Sequence, residues 1–434
     1  MLRSVFAVLA AFFVATRVEG HFLFVHVVDG DSPRIELHFA ESAWDYSSDD
    51  RMVALIANAG GWDSAGNPLQ FERNPHAMIA PRKSDVNSAT SAFTYGIMRR
   101  GAAFLLEYHG KGVSDLASAA TRSELDAEIL ARPDGSGNLV LTVLFRGEPA
   151  PNAEIIVPMS GAKTETMSTN DQGQVSIPMP DSPLFSIRAM VSETRDGEHD
   201  GEAYYEVRHY TTLTVQSAPN ETGYGDSMAS AVLRDAYGCS ASIPRDGVKW
   251  RGRIKGRFDG EDVRGTITHD GSTLDIAHPS DLSDQAVACF LSLEGIPSPV
   301  DMTGKAAHFE DQRSASKGVR VLVPGEGAAY EILDRRIKSI HQARENGAGR
   351  VDVLEWQDTE DNRFLPGKVM LTEFDSDGNI TSVTILNSVY AIQDGVHVPQ
   401  RYYGTRISGS DVSGDFVIEV SDLSVSGANA SDSS

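Results

Sequence analysis

The chain has 434 residues, and its 61 aspartates and glutamates outnumber its 38 lysines and arginines to give a formal net charge of −23. Binding to nucleic-acid phosphates needs a basic surface, so this charge argues against nucleic acid as a partner. The two cysteines, Cys239 and Cys289, form no C-x-x-C pair and have no Cys/His spacing typical of a zinc site. Thiol redox chemistry and a zinc finger are therefore disfavoured, whereas a disulfide between the two cysteines stays open.

Residues 1–20 predict a secretory signal peptide. Arg3 gives a basic start, an apolar stretch runs from Val5 to Ala15, and Val18 and Gly20 precede His21. No later run approaches the roughly 20 apolar residues that a transmembrane helix needs. We therefore expect an exported protein, periplasmic or secreted, with no transmembrane segment after signal cleavage.

Cleavage after Gly20 would make His21 the mature N-terminus. A free amine and an imidazole on one residue can chelate copper or nickel when a second histidine completes the site. His26 would point to the opposite face of an extended strand, so the second ligand would come from another strand, with His38 and His109 as candidates. The same chelate occurs in copper monooxygenases, so a copper oxidase is a third-ranked function.

Residues 21–135 predict an N-terminal β-rich domain. The segments HFLFVHVV, RIELHFAES, FTYGIM and FLLEYHG are typical of strands, and DDRMVALIANAG is typical of a short helix. The stretch from Ser114 to Arg132 is more helical in pattern and ends at Pro133.

Residues 136–216 predict an immunoglobulin-like β-sandwich. Leu139, Leu141, Val143 and Phe145 alternate with other residues, and turn-forming segments such as RGEPAPN separate the short strands.

Within this domain, Ser186–Val215 predicts two strands joined by an acidic loop. Alternate positions from Tyr205 to Val215 are mostly apolar, which is typical of a half-buried strand. The loop is dense in carboxylates and histidine, and these groups suit a hard or borderline cation. The candidate metal ligands are Glu193, Glu198, His199 and His209. The alternatives are a solvated hairpin loop and, for His209, a buried imidazole held by a hydrogen bond.

The HFLF start, the run GEPAPNAEIIV…TNDQGQVSI and the ending GEHDGEAYYEVRHYTTLTV together resemble a widespread family of exported bacterial proteins. Members of that family are described as periplasmic components associated with nickel or cobalt uptake. The resemblance covers about residues 21–216 and implies a periplasmic, metal-related or ligand-presenting role.

Residues 217–226 have the composition of a linker, and residues 227–427 predict a half-barrel-like α+β domain. SMASAVLRDAYG and DLSDQAVACFLSLEG are its two helices, and about nine strands form a curved antiparallel sheet. The helix start and the closing DGVHVPQRYYGTR strand resemble a second, uncharacterised bacterial family, and the architecture is similar to that of periplasmic lipoprotein carriers. Residues 428–434 predict a disordered tail.

One strand of this domain, KWRGRIKGRF, places Arg251, Arg253, Lys255 and Arg257 on one face. Four cations in a row could meet an anionic lipid head group or an acidic envelope partner, although a solvated face explains them as well.

No G-x-S-x-G, H-E-x-x-H or Walker motif is present, so we expect a non-enzymatic protein. The sequence favours metal-related ligand binding, of the nickel, cobalt or copper type, by the N-terminal half. The alternatives are a carrier that holds a lipid or another small hydrophobic ligand in the half-barrel, and a structural or partner-binding envelope protein.

Overall fold

The computed structural model describes residues 20–45, 50–159, 164–180, 182–216, 224–241, 249–258, 260–269, 274–277, 305–310, 318–344, 346–360, 362–393, 396–409 and 411–426. Five predictions lie wholly or mainly outside these ranges: the signal peptide, the linker, the helix at 281–295, Cys289 and the C-terminal tail.

The described fold is mainly β, which confirms the predicted fold class. The helices are α1 (Asp50–Leu55), α2 (Leu116–Ala119) and α3 (Ser227–Gly238), with one 3-10 turn at Pro324–Glu326. The strands of the first half are β1 (Phe22–Val28), β2 (Arg34–Ala40), β3 (Gly60–Asp63), β4 (Glu72–Arg73), β5 (Met78–Pro81), β6 (Ser88–Arg100), β7 (Ala102–Val113), β8 (Ala127–Pro133), β9 (Asn138–Phe145), β10 (Glu148–Pro149), β11 (Glu154–Pro158), β12 (Thr164–Ser168), β13 (Gln174–Pro178), β14 (Leu184–Glu193), β15 (Gly197–His199), β16 (Glu202–Tyr204) and β17 (Val207–Gln216). Those of the second half are β18 (Lys249–Phe258), β19 (Glu261–His269), β20 (Leu274–Ala277), β21 (His308–Phe309), β22 (Val319–Val323), β23 (Ala328–Leu333), β24 (Arg336–Arg344), β25 (Gly347–Asp358), β26 (Phe364–Phe374), β27 (Ile380–Gln393), β28 (Val396–Ser408) and β29 (Asp411–Ser426).

A seven-stranded sheet, in the order β12-β11-β14-β17-β7-β6-β3, is the central layer of the first half. One of its faces packs on the sheet formed by β8, β9, β10 and β13, and the other packs on the sheet β1-β2-β5-β4. The antiparallel pairing of β14 with β17 confirms the two strands predicted between Ser186 and Val215. In contrast, β17 pairs with β7 in parallel, so strands from both sides of the boundary predicted at residue 135 share this sheet.

Residues 114–132 do not form the helical stretch that their pattern suggested. Only Leu116–Ala119 is helical, and the side chain of Asp115 caps it by accepting from Ser118 N. The end of the stretch is strand β8, whose residues Ala127, Ile129 and Ala131 alternate into the core. The alternation with a period of two in AEILARP is typical of a strand. The burial of one face of this segment stabilises the strand in place of the helix that the pattern suggested.

Strand β17 is buried on both faces, whereas its sequence predicted a half-buried strand. The odd positions, such as Leu213, contact the sandwich core, while Thr212 on the other face donates from Oγ1 to the carbonyl oxygen of Leu23 at 2.6 Å. Strand β1 can approach the central sheet closely because the neighbouring strand β7 has glycines where β1 crosses it. A Cβ atom at Gly112 would lie 2.2 Å from the carbonyl oxygen of Val25.

The second half forms a 12-stranded antiparallel sheet in the order β20-β19-β18-β29-β28-β27-β26-β25-β24-β23-β22-β21. Helix α3 packs on one end of it, where Val232, Leu233 and Val321 belong to one buried apolar cluster. Farther along, the fully buried positions of β27 are Ser382, Thr384, Leu386 and Ser388, whereas its valine and isoleucine at 383 and 385 are half-buried. A carrier would need an apolar wall, whereas the more buried face of this strand is mostly polar.

Charged side chains join the two halves of the chain. Asp226 caps α3 by accepting from Met228 N and Ala229 N, and it also accepts from Nη2 of Arg34 at 2.6 Å. Asp235 on α3 forms a two-point ion pair with Arg335, at 2.6 and 2.7 Å. The Arg335 guanidinium lies over the Trp44 ring at 4.3 Å, so this contact also ties the first half to the second.

Candidate metal centre

Two histidines and a glutamate converge on one face of the central sheet. Glu107 and His109 occupy alternate positions of β7, and His209 lies opposite Glu107 in the parallel strand β17. Alternation along a strand places residues two apart on the same face, so the three side chains share the face that looks toward the sandwich core. Both imidazoles are buried, and Glu107 is half-buried at the edge of the group.

Two of the three distances between the ligand atoms of this group are close to those expected around one ion. His109 Nε2 lies 3.2 Å from His209 Nδ1, and His209 Nδ1 lies 3.3 Å from a carboxylate oxygen of Glu107. All three atoms lie within 4.8 Å of one another. In a tetrahedral site with metal–nitrogen bonds of about 2.1 Å, two ligand atoms are about 3.4 Å apart. The group of Glu107, His109 and His209 could therefore hold a metal ion.

A second glutamate holds the far nitrogen of His209. Glu193, at the end of β14, has an oxygen 3.3 Å from His209 Nε2. In the metal-free protein Nδ1–H of His209 can donate to Glu107, whereas a metal on Nδ1 would leave the ring proton on Nε2, from which it would donate to Glu193. Metal-binding histidines commonly have such a carboxylate partner, which fixes the tautomer and the ring orientation.

The protonation state of His109 suits a ligand. Burial, reinforced by the neighbouring His209, lowers the pKa of His109 to about 4, so its imidazole is neutral near pH 7. His109 Nδ1 is buried and has no hydrogen-bond partner among the described residues. The pKa of Glu107 is lowered by its hydrogen bond with His209, despite partial burial, so this carboxylate is ionised.

Two arginines surround the carboxylates without entering the centre. Arg146 donates from Nη1 to Glu193 at 2.9 Å, and Arg195 lies 3.4 Å from Glu193 and 3.6 Å from Glu107. The Phe145 ring packs on His209, with 4.8 Å between ring centroids, and covers the side of the metal centre that faces the protein core. Arg195 is 38% exposed, so the open side of the centre lies at this arginine.

The structure brings together two of the residues that the sequence nominated, His209 and Glu193, and separates the others from them. Glu198 and His199 belong to the hairpin β15-β16, where Glu198 is exposed and His199 lies 3.5 Å from Asp200. The hairpin closes through Asp200 and Gly201, both with positive φ, as a two-residue turn of this kind requires. Much of the acidic loop is therefore a solvated hairpin.

His21 lies on the opposite face of the central sheet, where its ring packs on Phe39 at 5.6 Å between centroids. It takes no part in the Glu107, His109 and His209 group.

Sequence reasoning missed Glu107, and it considered His109 only as a partner for His21. The available signal was the E-Y-H spacing in FLLEYHG, which puts both side chains on one face of a strand. The parallel pairing of β7 with β17 then brings Glu107 and His109 next to His209. No local sequence pattern predicts this pairing.

The remaining nominated residues lie in the second half. Cys239 is a buried free thiol whose pKa is raised by burial to about 12, and its predicted partner Cys289 is outside the described residues. Arg251, Arg253 and Lys255 are exposed on one face of β18, and so is Arg257. Arg253 lies 3.3 Å from Asp422 and Arg257 lies 3.9 Å from Asp262, so neighbouring strands already pair two of these four cations.

Comparisons with known proteins give little guidance. No family model matches the chain, and no curated protein matches it. Among solved structures, the chain is matched to a Ca²⁺-stabilised adhesin with which an Antarctic bacterium binds ice, at 11% identity and a TM-score of 0.14, over 93% of this chain and 98% of that one. A score this low carries no argument about fold or function. Within the described residues, no helix has the length and apolarity to cross a membrane.

Proposed function

We propose that this chain is an exported metal-binding protein that holds a divalent transition-metal ion through Glu107, His109 and His209. The observation that carries the proposal is the spacing of 3.2 and 3.3 Å from His209 Nδ1 to the other two ligands, between strands that are distant in sequence. The predicted signal peptide and the resemblance to proteins associated with nickel or cobalt uptake support the same function.

The donor set narrows the class of metal. Two imidazole nitrogens and one carboxylate oxygen suit borderline ions such as Ni²⁺, Co²⁺, Cu²⁺ and Zn²⁺, whereas Ca²⁺ and Mg²⁺ prefer oxygen ligands. The two neutral imidazoles and one ionised carboxylate would carry a net charge of −1, which partly balances a divalent ion. Glu193 would act on the metal only through His209.

Three protein ligands leave further coordination positions for water or an exchangeable ligand. Such a site suits a protein that binds and releases a metal, and the absence of a catalytic motif from the sequence agrees with a binding role. We therefore favour metal capture or presentation over catalysis.

The test is calorimetric titration of the full chain, without its predicted signal peptide, with NiCl₂, CoCl₂ and CuCl₂ after treatment with a chelator. We expect one site per chain, and we expect His209→Ala and Glu107→Gln each to weaken binding at least a hundredfold. His199→Ala is the matched control, because this histidine lies on the hairpin and outside the group.

Two results would overturn the proposal: wild-type binding no tighter than that of a denatured chain, or unchanged binding in both His209→Ala and Glu107→Gln. If His21→Ala removed binding while His209→Ala left it intact, the metal would instead be held at the N-terminus. Circular dichroism of each variant separates loss of the site from loss of the fold.

A further inference from the structure

A cavity of about 410 Å³ lies on the other face of the strands that form the metal centre. It lies between the central sheet on one side and β1, β2 and α1 on the other. Tyr108 and Tyr210 line it, and each is the chain neighbour of a histidine of the metal group. Because side chains alternate along a strand, the cavity and the metal centre are separated by the thickness of one sheet.

The walls of this cavity are mainly aromatic and apolar. The rings of Tyr108 and Tyr210 stack at 5.8 Å, and Phe22 packs edge-on against Tyr210 at 5.5 Å. Met98 and Met190 add flexible apolar surface. The volume is within the range of about 300–1,000 Å³ that is typical of small-molecule sites.

Two arginines also line the cavity, and they differ in their partners. Arg208 is paired with Glu206, through contacts of 2.9 and 3.3 Å, and it lies over the Phe104 ring at 3.9 Å. Arg188 has no carboxylate within ion-pair distance among the described residues. It donates from Nη1 to the carbonyl oxygen of Glu41 at 3.1 Å and lies over the Phe22 ring at 4.8 Å.

Arg188 is therefore a half-buried cation at an apolar cavity without a counter-ion from the described chain. A guanidinium has five N–H donors, and a single contact to a carbonyl leaves donors for another acceptor. A partly buried charge is disfavoured unless it is paired, and a carboxylate offers the matching two-point geometry. Glu154, the acidic residue of the lining, is exposed and forms no ion pair with Arg188 in the described structure.

We infer that this cavity binds a small organic carboxylate with an aromatic or other apolar body, whose carboxylate pairs with Arg188 while its body lies against Tyr108 and Tyr210. The net charge of −23 would repel anions in general, so a local cation such as Arg188 has to provide the selectivity. This inference is independent of the metal centre, because no residue of the Glu107, His109 and His209 group lines the cavity.

The experiment compares three probes on the full chain in the presence of a chelator: naphthoate, naphthalenemethanol and acetate. Naphthoate has both features of the inferred ligand, naphthalenemethanol lacks the charge, and acetate lacks the apolar body. We expect naphthoate to bind at least tenfold more tightly than naphthalenemethanol and acetate not to bind measurably. Because the metal is removed, a failure of the proposed metal function does not affect this result.

The variant Arg188→Gln should abolish the preference for naphthoate over naphthalenemethanol, and Arg188→Lys should retain part of it. Arg251→Gln is the matched control, since Arg251 is an exposed arginine on β18 and is not among the residues that line the cavity. The inference is overturned if wild-type protein binds no naphthoate at millimolar concentration, if it binds the acid and the alcohol equally, or if Arg188→Gln leaves the preference unchanged. The comparison of probes on wild-type protein decides the question even if Arg188→Gln fails to fold.

Discussion

His209 and Tyr210 are neighbours in β17, and their side chains lie on opposite faces of the central sheet. The His209 imidazole meets Glu107 at 3.3 Å on one face, whereas the Tyr210 ring stacks on Tyr108 at 5.8 Å on the other. The metal centre and the aromatic cavity are thus built from the same pair of strands, β7 and β17. A substitution can still alter one site without the other, because each side chain of these strands lies on only one face of the sheet.

The role of Glu193 should be distinguishable from that of Glu107. We expect Glu193→Gln to weaken metal binding by about 10- to 100-fold, because this carboxylate orients His209 without touching the metal. The measurement is calorimetric titration with NiCl₂, with Glu198→Gln as the control from the neighbouring hairpin. An affinity equal to wild type in Glu193→Gln would show that the 3.3 Å contact with His209 does not orient the ligand.

The buried histidine His26 should make stability depend on pH. Burial first, and then the neighbouring His38, lowers the pKa of His26 well below 6.5. Below about pH 6.5 the unfolded chain takes up a proton at this residue while the folded chain does not, so the free energy of unfolding should fall as the pH drops. Each such proton contributes a slope of up to about 1.4 kcal/mol per pH unit.

Urea denaturation between pH 7 and pH 5 checks this prediction. His26→Gln should remove part of the slope, and His199→Gln, which replaces a half-exposed hairpin histidine, is the comparison variant. A slope in His26→Gln identical to that of wild type would contradict the assignment to His26.

The close approach of β1 to β7 should make Gly112 intolerant of a side chain. In Gly112→Ala, the new Cβ would lie 2.2 Å from the carbonyl oxygen of Val25, which is backbone and has little freedom to move. We expect a loss of about 2 kcal/mol or more in the free energy of unfolding. Gly238→Ala is the control: a Cβ there meets nothing within 4 Å, and alanine favours the helix.

The ion pair between Asp235 and Arg335 should be costly to break from one side. Arg335→Met would leave Asp235, whose side chain is 1% exposed, as an unpaired buried charge, with an expected loss of about 3–5 kcal/mol. The exposed pair of Arg253 and Asp422 is the comparison, and Arg253→Met should change stability by less than about 1 kcal/mol. Urea denaturation measures both, and replacing Asp235 and Arg335 together by leucine and methionine should cost less than the sum of the single changes.

The sequence predicted most of what depends on neighbouring residues. The alternation Leu139, Leu141, Val143 predicts β9 and its buried face, and the turn-rich acidic segment after Glu193 is a hairpin, which was one of the two alternatives. The failures concern relations between distant segments. Thr212 has the polarity of a surface residue, yet it is buried because β1, far away in sequence, covers it.

In the metal centre, too, the sequence predicted the contacts between neighbouring segments and missed those between distant ones. His209 and Glu193 were identifiable because both lie at the ends of one strand pair, which the sequence suggests. Glu107 and His109 join them only through a parallel pairing between strands whose histidines are separated by 100 positions. Such a pairing follows from the topology of the whole sheet and leaves no local pattern in either strand.

The parallel pairing of β7 with β17 also sets an order on folding. β17 is the last strand of the first half to be synthesised, yet β14 lies on one side of it and β7 on the other. Until residue 216 has been made, β7 has an unpaired edge, and such an edge favours association with other chains. A fragment that ends near residue 135 would keep this exposed edge and would lack His209. Any shortened chain intended for metal-binding studies therefore has to extend through Gln216.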